Sequence, residues 1–134
     1  MTNGDLQKRV DASPRLSALR DRLTNELVFR ADNSVQFDPL LVLAIISLML
    51  QIIYYCRELR KPDEIKQDIK DIRSLPARKL IRLRRRANLL WRDCCADKQD
   101  SRHDANPILT ALYELGESAD DATLDELIEL AKEQ

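Results

Sequence analysis

The sequence predicts an all-α fold, with about six short-to-medium helices around one very hydrophobic central helix spanning residues 40–60. Three observations carry that expectation. Charged residues make up 34% of the 134 positions and aromatic residues only 4%, a balance that suits charge-covered helices better than sheets. Two glycines and five prolines are present, and the prolines stand between segments rather than inside them, as punctuation for separate helices. Apolar residues recur at steps of three and four, and no alternating strand pattern or internal repeat is seen.

Residues 1–12 are polar and are expected to fray. Ser13–Pro14 then supplies a capping residue followed by proline at the first helical position. Leu16, Leu19, Leu23 and Leu27 mark one face of an amphipathic helix over 14–30, which closes a polar N-terminal region of 1–37. Phe37–Asp38–Pro39 is a helix start, with Asp38 as cap and Phe37 set to staple onto Val42. The central helix, 38–61, should run on through RELRK and stop before Pro62. A basic region, 62–96, follows. Pro62 opens a short helix with Asp63 and Glu64 in its first turn and Ile65, Ile69 and Ile72 as its stripe. A longer helix from Pro76 to Ala96 has Leu80, Leu83, Ala87, Leu90 and Cys94, widened by Trp91, as its apolar face. An acidic helical hairpin, 97–134, ends the sequence. Asn106–Pro107 caps Ile108, Leu109, Leu112 and Leu115, Gly116 is expected at a C′ position, and Thr123 with Glu126 reads as a capping box before the last helix.

The central element is LLVLAIISLMLQIIYYC, Leu40–Cys56, which contains no charge. As a helix it would be about 26 Å long, against roughly 30 Å of bilayer hydrocarbon. Tyr54 and Tyr55 stand where interfacial aromatics are expected and Arg57, Arg60 and Lys61 follow, which would place the basic C-terminal side in the cytosol. Ala44, Ser47, Gln51 and Tyr55 form a small-and-polar stripe suited to helix association in lipid. A helix apolar on every side is equally the signature of a buried core, in a soluble domain or shared between subunits. A span would also strand helix 14–30 on the far side, with four leucines uncovered.

Charge is segregated along the chain. Residues 57–95 carry thirteen basic and six acidic side chains, a net of +7, whereas residues 96–134 carry three and eleven, a net of −8. Arg78, Lys79, Arg82, Arg85, Arg86 and Arg92 lie on the polar face of the basic helix, with Arg84 beside them. That density suits anionic lipid headgroups or the phosphates of a nucleic acid, without base specificity. The bland alternative is a solvated face, or one that pairs with the acidic C-terminal region.

Chemistry-bearing motifs are sparse. Cys56, Cys94 and Cys95 are an odd count with one adjacent pair, which argues against a disulfide framework and for a reducing compartment. His103 stands eight or nine residues beyond the paired cysteines, a spacing that matches no common zinc site. Cys56, beside the proposed interface, is a candidate for acylation, with a buried free thiol as the alternative. No nucleophile–base pattern and no glycine-rich phosphate loop occurs, so neither catalysis nor a cofactor, metal or small-molecule substrate is expected. The first 35 residues hold no apolar core of a signal peptide, so no cleavage is expected. The ending ILTALYELGESADDATLDELIELAKE resembles the opening of a helix-turn-helix, but its last helix is acidic where a reading helix needs basic or amide side chains.

The order of FDPLLVLAIISLMLQIIYYC, a charged segment, a basic helix and the short ILTALYEL unit resembles small phage-encoded proteins, virion-associated or holin-like, with one apolar segment and charged flanks. The likeness is one of layout and carries over no functional residue. The leading expectation is a non-enzymatic, membrane-associated helical protein that self-associates through 40–56 and lays 78–92 on anionic lipid. The alternatives are a soluble all-α structural or interaction subunit, such as a virion component, and a nucleic-acid-associated protein using 78–92.

Overall fold

The computed structural model of the chain describes residues 2–30, 39–57, 61–95 and 107–133. Over those residues the protein is all-helical, with seven α-helices and one 3₁₀ turn. These are α1 (Asn3–Ala12), α2 (Pro14–Arg30), α3 (Pro39–Arg57), α4 (Pro62–Lys70), the turn Ile72–Ser74, α5 (Ala77–Cys95), α6 (Pro107–Ser118) and α7 (Asp121–Lys132).

The N-terminal segment is ordered, contrary to the expectation of fraying. Thr2 caps α1: its hydroxyl accepts from the Asp5 amide at 3.2 Å, and the Asp5 carboxylate accepts in return from the Thr2 amide at 3.3 Å. Leu6 and Val10, one turn apart, are buried and give the helix its reason to dock. Ser13 then ends one helix and begins the next. Its amide donates to the Val10 carbonyl at 3.2 Å, and its hydroxyl accepts from the Leu16 amide at 3.2 Å, as a cap on α2 should. The stripe Leu16, Leu19, Leu23 and Leu27 is buried in full, as is the stripe Ile65, Ile69 and Ile72.

α3 packs against α1, α2, α4, α5 and α7. Val42, Leu43, Ile45, Ile46, Leu48, Met49, Leu50, Ile52 and Ile53 are all buried by those neighbours. The suggestion of a transmembrane segment therefore finds no support: among the described residues no helix is long and apolar enough to cross a membrane. Most of the apolar surface that prompted it is covered by the surrounding helices, with Leu40 and Tyr54 left exposed towards its ends. Burying such surface contributes roughly 25 cal/mol per Å², which makes α3 the main contributor to the core.

Three boundaries differ from expectation. α6 continues past Gly116 to Ser118, so the glycine lies inside the helix and not at its C′ position. α7 begins at Asp121 rather than after Thr123. Asp120 is its cap and accepts from the Thr123 amide at 2.8 Å, while Thr123 itself is inside the helix and buried. An acidic cap also suits the positive end of the helix dipole. α6 packs on α2, α4 and α5, and α7 on α2, α3 and α4, so each is held mainly by other helices. Lys61, expected to end the central helix, is instead the extended cap of α4, its carbonyl accepting from the Glu64 and Ile65 amides. Phe37, Asp38, Asn106, residues 58–60 and the expected loop 97–105 lie outside the described residues.

Candidate interaction surface on helix α5

The pattern that folds α5 also sorts its charge. Leu83 and Ala87 are buried against the core, with Leu80, Leu90 and Trp91 half-buried beside them. Helical spacing then turns Arg78, Arg82, Arg84, Arg85, Arg86 and Arg92 outward, all exposed, and leaves Lys79 half-buried. The Pro76 carbonyl accepts from the amides of Lys79 at 2.9 Å and Leu80 at 3.1 Å, which anchors the first turn.

Among the described residues, five carboxylates of the acidic C-terminal region point away from this face. These five pair with α1, α2, α4 and the 3₁₀ turn. Asp125 meets Lys66 at 2.6 Å, Asp121 meets Lys70 at 2.7 Å, and Glu117 meets Arg73 at 3.3 Å. Glu126 meets Arg15 at 3.6 Å and also accepts from the Ser13 hydroxyl, and Glu133 meets Arg9 at 2.9 Å. Arg73 further stands 4.6 Å from the centre of the Tyr113 ring. Among the described residues no carboxylate forms an ion pair with Arg78, Arg84, Arg85, Arg86 or Arg92. Asp93 is the one acidic residue within α5.

Hydrogen bonding shifts several of the paired groups. The Thr123 side chain and amide hold the Asp120 carboxyl below its ordinary value, and the Lys70 ammonium does the same for Asp121. The bond to Asp125 raises Lys66 above the usual lysine value. These are fastenings of the fold and lie away from α5.

Between α3 and α5 runs an open groove of about 340 Å³. Leu48 and Ile52 of α3, with Leu75 and Leu83, supply its apolar walls, and Leu89 stands at its edge. Lys79, Arg82, Arg85 and Arg86 line it from the α5 side, and Gln51 from the α3 side. The structure thus brings Gln51 of the small-and-polar stripe together with four of the basic residues, Lys79, Arg82, Arg85 and Arg86. Of the small-and-polar stripe, Ala44 and Ser47 are half-buried and Gln51 is exposed, so this is the line of α3 least covered by other helices. The Tyr55 side chain lies outside the described residues, as do the side chains of Cys56, Cys94 and Cys95 and all of His103. Among the described residues no group of His, Cys, Asp and Glu is placed to hold a metal ion.

The apolar half of the groove escapes a reading of charge alone. Leu89, which lines the groove, falls off the buried stripe of α5 and stands among the arginines, 52% exposed, as does Ile81, 49% exposed, away from the groove lining. An apolar residue out of register on a polar face is the signal that marks them. Comparison with known proteins supplies no relative to guide the assignment: no family model, no curated protein and no solved structure matches the chain.

Proposed function

We propose that this chain is a non-enzymatic helical interaction subunit that binds an anionic partner through α5. One observation carries the reading. Arg78, Arg84, Arg85, Arg86 and Arg92 are exposed on a single helix without a carboxylate partner among the described residues, although the protein holds an acidic surplus elsewhere. Like charges one turn apart repel, so such an array is not explained by helix stability. It does raise the encounter rate with a partner of opposite sign.

Burial of α3 favours this reading over insertion into a bilayer, because the apolar side chains that insertion would use are occupied by the core. Two-fold self-association through α5 would set arginines against arginines, which favours a different chain as partner. A multi-chain assembly, of which the virion suggested by the layout is one example, is the setting for such a subunit.

The test compares the full chain with its Arg84→Glu/Arg85→Glu/Arg86→Glu variant, each recovered from the native cells at low and at high salt and sized by sedimentation. The native chain should travel in a complex heavier than its own 15.5 kDa and leave it as salt rises. The folded variant should travel alone at every salt concentration. A native chain that is monomeric at low salt, or a variant that keeps the same complex, overturns the reading.

A further inference from the structure

We infer that the groove between α3 and α5 is a seat for one amphipathic acidic helix of a partner protein, with apolar anchors packing on the exposed Leu89 beside the largely buried Leu48 and Ile52 and flanking carboxylates meeting Arg85 and Arg86. This rests on the reading of α5 as an anion-binding face and names the partner's chemistry.

Four features of the site select that occupant. The groove has two chemistries in parallel, an apolar wall and a cationic rim, whereas a nucleic acid backbone asks for charge with stacking aromatics and little apolar wall. Its extent along α5, from Lys79 to Leu89, is about 15 Å at ~1.5 Å per residue, room for about three turns of a docked helix. Its rim holds Arg85 and Arg86, both exposed and without a carboxylate partner among the described residues, where the acidic residues beside an apolar stripe on a partner helix would meet them. The chain's own acidic helix cannot serve from a second copy. The apolar residues Leu124, Leu127, Ile128, Leu130 and Ala131 of α7 are buried in its own core, and Asp121 and Asp125 are paired with Lys70 and Lys66.

The occupant is tested with synthetic peptides on the intact chain, by anisotropy of a labelled peptide at several salt concentrations. The first peptide is a helix of about 14 residues with leucines at steps of three and four and glutamates beside them. The second has the same composition scrambled so that no apolar stripe forms. A third has lysine for every glutamate. A single-stranded oligonucleotide and vesicles containing phosphatidylglycerol complete the set. Binding of the first peptide in preference to all others, weakened at least about tenfold by Leu89→Glu or by Arg85→Glu/Arg86→Glu, supports the seat. Both sites of substitution are exposed, and unchanged thermal melting confirms that each variant folds. Equal binding of the striped and scrambled peptides, or tighter binding of the oligonucleotide or the vesicles, overturns the helical occupant and leaves the anion-binding face standing. Failure of every anionic probe, together with an assembly indifferent to the arginine substitutions, overturns both.

Discussion

At Gly116 α6 closely approaches the end of α4, and the missing side chain is a packing requirement. A methyl group there would stand 2.2 Å from the Ile69 carbonyl oxygen and 3.4 Å from the Ile72 side chain. Two effects of opposite sign meet at this position. In an isolated helix, alanine in place of glycine gains about 1 kcal/mol. Here the obstacle is backbone at a packed crossing, and relief requires the helices to separate, so Gly116→Ala should lose about 1–3 kcal/mol net in urea unfolding. A gain would mean that the two helices are not in contact at this point. The caps give a second prediction at this scale. Asp120 and Asp121 have lowered pKa values in the folded state, so their contribution is present above the ordinary carboxylate value of 3.8 and fades as pH falls through the lowered folded values. Lys66 is raised, so its contribution is present below 10.5 and fades as pH rises through the folded value. The urea midpoint should therefore be flat between those limits and fall outside them. Asp120→Asn, which keeps a capping oxygen without the charge, should reduce the acid slope more than it lowers the midpoint at neutral pH.

At the scale of the element, α3 tests how far an apolar run can be interpreted. Ile46 is 1% exposed and Ile53 0%, so a carboxylate introduced at Ile46 has no route to water. Its cost of several kcal/mol rivals the whole of a small domain's stability of about 5–15 kcal/mol, and Ile46→Asp should abolish the cooperative melt seen by circular dichroism. Gln51→Leu should shift stability by less than about 0.5 kcal/mol, because Gln51 is exposed at the groove and supports no buried network. Retention of the melt by Ile46→Asp would remove α3 from the core. The helices with long periodic stripes were legible in the sequence, since Leu16 to Leu27 and Ile65 to Ile72 announce a buried face wherever they dock. α1 was harder to see because it has only Leu6 and Val10, although Thr2 and Asp5 spell its cap. Whether α3 met lipid or protein was not legible at all. The apolar run is the same in both cases, and the answer depends on whether five other stripes converge on it, which is a property of the tertiary arrangement. The site was half legible. Its arginines stand out in the sequence, but the groove needs Leu48 and Ile52 from a helix some thirty residues away.

On the scale of the whole molecule, the net charge of −1 conceals two opposed surfaces, and the fold keeps them apart. Glu117, Asp121, Asp125, Glu126 and Glu133 are fastened to α1, α2, α4 and the 3₁₀ turn, whereas α5 keeps its arginines on the outside. If these cations served folding, reversing them would be costly. If they serve a partner, the opposite holds, because repulsion within α5 is a standing cost of the bound state's requirements. Arg85 and Arg86 lie three and four residues beyond Arg82, where like charges destabilise a helix and opposite charges support it by about 0.2–0.5 kcal/mol per pair. Arg85→Glu/Arg86→Glu should consequently leave the urea midpoint unchanged or raise stability by up to about 1 kcal/mol, while weakening the anionic peptide at least about tenfold. A trade of that kind, stability held or gained as binding is lost, is the mark of residues kept for recognition. Loss of more than about 2 kcal/mol in the same variant would instead assign the two arginines to the fold, since exposed substitutions without a structural role stay within about 0.5 kcal/mol.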